Sequence, residues 1–170
     1  MSGRLFILSP ASSSGERARI VMRPEATFDL AQRLRGPGGA PLGEVFSFLS
    51  GLYFRGKLTY ATAFARPTGA LPQAVFVVTP CQGLVPPEQR VDLATLERFK
   101  GVPIAAREPR YREPLLRDLE WLAAQAPGAE VVLLGSIATD KYLEPLTTVF
   151  GDRVVVPEDF AGRGDMSRGG

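Results

Sequence analysis

The chain contains no histidine, no asparagine and one cysteine, Cys81, among its 170 residues. Without histidine the commonest general base is gone, and with it most zinc, copper and non-haem iron sites. Neither a metal nor a cofactor is therefore expected. One cysteine cannot form an intrachain disulfide, so nothing points to an oxidising compartment. No apolar run approaches the roughly 20 residues that span a bilayer. The opening MSGRLFILSPASSS offers one arginine, a short apolar run over Leu5–Leu8 and then Pro10, which makes a poor signal peptide and a good first strand. A cytoplasmic chain without membrane contact is the expectation. Lysine is scarce as well, since the basic residues are nearly all arginine. With the missing asparagine, this leans towards a GC-rich, thermophilic bacterial source. The formal charge of +2 argues against wholesale electrostatic binding to nucleic acid. Catalysis, if present, has to use Asp, Glu, Lys, Tyr, Ser, Cys81 or backbone dipoles.

The length suits one domain with a respectable core. Buried strands are predicted at Arg4–Leu8, Ala74–Thr79, Glu130–Leu134 and Arg153–Val156, with a short one at Val102–Ala105. Helical periodicity runs over Thr27–Leu34, over Glu44–Ala65 with possible breaks at Gly51 and Gly56, over Asp92–Lys100 with Asp92 as its cap, over Glu113–Gln125 and over Asp140–Phe150. Arg17–Met22 reads as strand or helix, and RGPGGAP and CQGLVPPEQ read as a turn and a loop. Strands alternating with helices predict an α/β fold: a three-layer sandwich with a mostly parallel central sheet and helices on both faces. Residues 1–157 are expected to form this domain, and 158–170 an extended or flexible tail without apolar periodicity. Within that tail Arg163-Gly164-Asp165 reads as a chance match to an adhesion tripeptide. The Arg163–Arg168 stretch reads as a frayed end or as an arm closing over a ligand.

In open α/β sheets ligands bind beyond the carboxyl ends of the parallel strands. Three such ends carry small polar residues: Ser9 with Ser12–Ser14, Thr79 before Cys81 and Gly83, and Gly135-Ser136. Gly135, Ser136 and the amides leading into the Asp140 helix would accept an anion. Lys141 could meet a phosphate there and Tyr142 could stack on a ring, although a capping Asp140 and a surface lysine are as natural. Cys81 has the position of a nucleophile, or of an inert thiol. The segment FLSGLYFRGKLTYA sets Arg55 and Lys57 among apolar and aromatic residues. It is either a core helix with snorkelling cations or a basic pocket wall. Arg55 is the favoured anion contact, with Gly51 and Gly56 bending the helix towards it and Tyr53 or Tyr60 available for stacking.

The blocks ILSPASSS, SGLYFRGKLTYA and VFVVTPCQGLVPPE, with VVLLGS downstream, together resemble the YaaA-like domains. They also resemble the related domain fused to archaeal tRNA-guanine transglycosylase-like proteins and archaeosine synthase. The shared blocks span roughly the first half of the chain plus one later strand. The resemblance implies an α/β domain of modified-base or nucleic-acid metabolism, sometimes with a uracil-DNA-glycosylase-like sheet. By position it points to Ser9, Ser50, Tyr53, Arg55 and Gly83. It does not imply a complete base-exchange enzyme, which needs a transglycosylase barrel longer than this chain. The functional expectation is a site for a small anionic or base-containing ligand, namely a nucleotide, nucleoside or nucleobase, at the carboxyl edge of the strands. The alternative is a non-catalytic module that binds RNA or a protein partner.

Overall fold

The computed structural model describes residues 3–68 and 70–157, so the tail carrying Arg163 and Arg168 lies outside the described residues. The described chain is mixed α/β, with seven α-helices and a five-stranded, mostly parallel sheet. β1 (Arg4–Leu8) lies at its centre. On one side it pairs in parallel with β3 (Val75–Val78), in the register Phe6↔Val75. On the other it pairs in parallel with β6 (Glu130–Leu134), in the register Leu8↔Leu134. The parallel strand β7 (Val154–Val155) extends that side. The opposite edge is β4 (Leu84–Val85), antiparallel to β3. The order β4-β3-β1-β6-β7 means that the chain first leaves β1 towards β3 and later crosses back to its other side. At such a reversal the strand ends splay their loops apart and leave a crevice.

The sheet is buried on both sides, and the alternation of its side chains shows it. Phe6 and Leu8 join one apolar cluster with Val75, Val77, Val132 and Leu134. That cluster takes in α1 (Glu16–Met22), α2 (Asp29–Arg35), α3 (Leu42–Ser50), α4 (Leu52–Phe64) and α5 (Leu93–Lys100) through Val21, Leu34, Phe46, Phe54 and Phe99. Leu5 and Ile7 join the other cluster, with Phe76, Val131 and Leu133. Its helices are α6 (Pro109–Gln125) and α7 (Asp140–Phe150), which contribute Leu115, Leu119, Leu146 and Phe150. Arg112 of α6 forms an ion pair with Glu144 of α7 beside this cluster.

Several local expectations change. Arg17–Met22 is helical. The long pattern from Glu44 breaks at Gly51 alone, where φ is +67° and α3 gives way to α4, whereas Gly56 stays inside α4. Gly56 has open space where its Cβ would be, so it bends nothing. Val102–Ala105 is no strand, because Pro103 offers no amide to a ladder. α6 starts at Pro109 with Glu108 as its N-cap, four residues before the predicted start, and so takes Pro114 inside it. α7 is capped by Thr139 and not by Asp140, which falls in the first turn. The GGAP turn also contributes β2 (Ala40–Pro41), which pairs antiparallel with β5 (Arg90–Val91) in a separate two-stranded ribbon.

Candidate functional site

The carboxyl ends of β3, β1 and β6 open onto a cleft of about 500 Å³. Its floor is the loop that follows β1, from Ser9 to Ser14. Pro80 after β3 and Ser136, Ala138 and Thr139 between β6 and α7 form the rest of the strand edge. One wall is the face of α4 that carries Tyr53, Phe54 and Lys57, with Ser50 just before it. Lys57 falls four residues after Tyr53 and three after Phe54, a spacing that keeps these α4 side chains on one helical face. Ser50 also accepts a hydrogen bond from the Phe54 amide at 2.9 Å, which ties down the first turn of α4. The other wall is the end of α5, with Phe99 and Lys100, continuing through Val102, Pro103 and Ile104. Lys141 and Tyr142 of α7 complete the rim.

Every lysine of the chain, Lys57, Lys100 and Lys141, lines this cleft. Among the described residues no arginine lines it, and neither does any aspartate or glutamate. In a protein that otherwise uses arginine for its cations, the cleft is thus set apart by the type of cation it holds. The two cations differ chemically. A lysine ammonium is a compact point charge that can lose its proton, whereas a guanidinium keeps it.

Lys57 is the buried member, with 7% of its surface exposed. Its Nζ donates to the carbonyl oxygen of Ser9 at 3.2 Å and lies 2.6 Å from Ser9 Oγ. The ammonium also sits 5.7 Å from the centre of the Phe54 ring. Burial pushes its pKa down to about 8, because a charge in this apolar wall forfeits its hydration. Ser9 is itself buried at the end of β1, and its amide donates to Leu134 O of β6. Beyond it the loop is held by its own hydroxyls: the Ser14 amide donates to Ser12 Oγ at 3.2 Å. Ser13 Oγ is buried and has no hydrogen-bond partner among the described residues.

Of the residues singled out from sequence, Ser9, Ser12, Ser50, Tyr53, Lys57, Ser136, Lys141 and Tyr142 come together in the cleft. Four do not line it. Arg55 lies on the opposite, solvent-facing side of α4, beside Leu52, Thr59 and Tyr60. Thr79 is fully buried and holds the β3–β4 turn, donating from Oγ1 to Gly83 O at 2.8 Å. Gly83 has φ +64° in that turn and packs against α6. Gly135 stands behind Ser9 and leaves room for it. Tyr142 is buried, and desolvation raises its phenol well above the ordinary range, so it forms wall and not an open stacking surface. Tyr53 is half-buried and reachable. Ser136 accepts from the Ala138 amide at 3.1 Å, four residues short of α7. Cys81 does not line the cleft, and burial pushes its thiol pKa up against the weaker pull of Arg98 and Arg110. Lys100 and Phe99 are site residues that sequence reasoning passed over as the end of a helix. Their signal was a lysine in an arginine-rich chain. Among the described residues no group of three or more metal-ligating side chains is found, and no helix is long and apolar enough to cross a membrane.

No family model matches the chain, and neither the curated proteins nor the solved structures give a match.

Proposed function

We propose that the cleft binds a small phosphate-bearing ligand of the nucleotide class. The observation that carries this reading is the gathering of all three lysines with no described carboxylate in one concave site. Lys100 lies at the end of α5 and Lys141 on the rim at α7, and the serine loop after β1 supplies hydroxyl groups to the same cleft. Tyr53 offers a reachable ring for a base. The position also favours it, because crevices at the carboxyl ends of parallel strands are where open α/β sheets take ligands. In this reading the fold is a three-layer sandwich, supported by the sorting of alternate β1 residues into two clusters with different helices. The YaaA-like reading and its link to modified-base metabolism belong to the same proposal, supported by Ser9, Ser50 and Tyr53 all facing the cleft.

The test is a thermal-shift and calorimetric screen over nucleosides, their mono-, di- and triphosphates, nucleobases and inorganic phosphate. A ligand of the native state raises the melting temperature in proportion to the logarithm of its concentration. Replacing Lys100 and Lys141 together by alanine is expected to weaken binding roughly tenfold or more, as removal of a charge-assisted contact does. A screen in which no phosphorylated compound shifts the melting curve overturns the reading.

One observation favours a second reading, a protein-binding module. The outer face of α4 exposes Leu52 at 78% and Phe64 at 50%, next to Arg55. A monomer at all concentrations, with no partner retained through Leu52 and Phe64, removes it.

A further inference from the structure

We propose that Ser9 and Lys57 form a nucleophile–base pair that transfers the acyl group of an ester or amide substrate bearing a negative charge. The inference shares the cleft of the preceding reading and rests on it only for the charge of the substrate. Its geometry is direct. Lys57 Nζ lies 2.6 Å from Ser9 Oγ, within the distance a base needs to take a hydroxyl proton. The Ser9 carbonyl, 3.2 Å from the same nitrogen, holds the amine in place.

Three further observations separate this pair from a packing contact. First, Lys57 is buried with no carboxylate partner among the described residues, an arrangement that costs stability. An apolar residue would fill the same wall more stably. Second, the buried cation is lysine where the chain otherwise prefers arginine, and only the lysine can give up its proton to act as a base. Burial assists, since with a pKa of about 8 roughly a tenth of the side chain is neutral at pH 7. Third, Ser13 lines the same cleft with its hydroxyl buried and unpartnered. A buried hydroxyl without a partner is under-satisfied, and turning its O–H towards a substrate oxygen would give it the bond it lacks. With no histidine in the chain, a Ser–Lys pair is also the form of activated serine open to it.

Ser9 Oγ attacks the carbonyl carbon and its proton passes to neutral Lys57 Nζ. The carbonyl π pair moves onto oxygen, where Ser13 Oγ–H donates to it. Collapse expels the alcohol or amine, which takes the proton back from Lys57, leaving an acyl-Ser9. Water then attacks that ester by the same route, with Lys57 as base, and releases the acid. The other titratable groups lining the cleft are Tyr53 on α4, Lys100 on α5 and Lys141 and Tyr142 on α7, cations and phenols without a carboxylate. Lys100 and Lys141 are the groups placed to hold the negative charge of the substrate.

The experiment uses the full chain and a fluorophosphonate probe, with peptide mass spectrometry to locate the adduct and rates measured from about pH 6 to 10. The expected result is one phosphonyl group on Ser9 with fluoride lost. The rate should rise about tenfold per pH unit and level off near pH 8, the pKa of Lys57. Lys57→Arg keeps the charge and cannot supply a base, so labelling should fall on the order of 100-fold or more. A melting curve on the same sample checks that the variant is folded. No adduct, an adduct on another residue, or Ser9 labelling indifferent to both pH and Lys57→Arg overturns the pair. If the variant does not fold, the wild-type pH profile alone decides. The probe carries no nucleotide, so a Ser9 adduct supports the pair even where every nucleotide fails to bind.

Discussion

Ser9 occupies the space that a side chain at Gly135 would need: a Cβ there would stand 2.7 Å from Ser9 Cβ and 2.8 Å from its Oγ. The absent side chain in β6's exit is therefore part of the Ser9 site in β1's exit. Gly135→Ala must push Ser9 away from Lys57 or shift the strand end. Overpacking of this kind costs about 1–3 kcal/mol. Urea unfolding should show that loss, and labelling of Ser9 should fall with it.

Lys57→Met should stabilise the protein at neutral pH and progressively less in alkali. The folded pKa of about 8 lies below the ordinary 10.5, so between these values the unfolded chain binds more protons than the folded one. Wild-type stability then rises with pH across that window. Below pH 8 the cost of the buried charge is on the order of 3 kcal/mol. Denaturant melts at pH 7 and pH 10 should show a gain from Lys57→Met at the first and little at the second. An equal gain at both would mean that the folded pKa is not depressed and that Lys57 keeps its charge in the native cleft as it does in the unfolded chain.

Arg55→Ala should leave ligand affinity unchanged, because Arg55 faces away from the cleft on the outer side of α4. Calorimetry of the variant beside the Lys100/Lys141 double variant checks this, and a comparable loss in both would put the ligand elsewhere.

Gly83→Ala should destabilise without touching the cleft. Its φ of +64° is strained for any other residue, and a Cβ would meet Asp118 Oδ2 at 2.2 Å and Pro114 O at 2.8 Å. Asp118 also accepts from the Leu84 amide at 3.0 Å, so the β3–β4 turn and α6 would loosen together. A loss of roughly 2–4 kcal/mol is expected in chemical denaturation. Any residual folded protein should bind ligand as before.

The parallel strands were legible because β1, β3 and β6 are short apolar runs between turn residues, and their order along the chain forced helical crossovers. Ser9, Ser12 and Ser136 were legible for the same reason, since they follow strands directly. β4 was not, because a two-residue strand flanked by Gly83 and Pro86 leaves no period to read. The choice between Arg55 and Lys57 could have been settled by spacing. Lys57 falls three residues after Phe54 and four before Ala61, the positions of α4 that are buried, whereas Arg55 is turned well away from all three. Phe54 and Ala61 are the apolar face, and the lysine belongs to it. Lys100 was beyond the pattern of α5, since only the tertiary arrangement brings the end of that helix over the exit of β1.

The confinement of lysine to one cleft makes the residue type a spectroscopic address. A sample isotopically labelled in lysine alone would carry signals from Lys57, Lys100 and Lys141, and each of them reports from the cleft. The Lys57 ammonium should titrate near pH 8. Occupancy of the cleft, and the protonation state in which it is occupied, can thus be followed in solution without altering a single atom of the sequence.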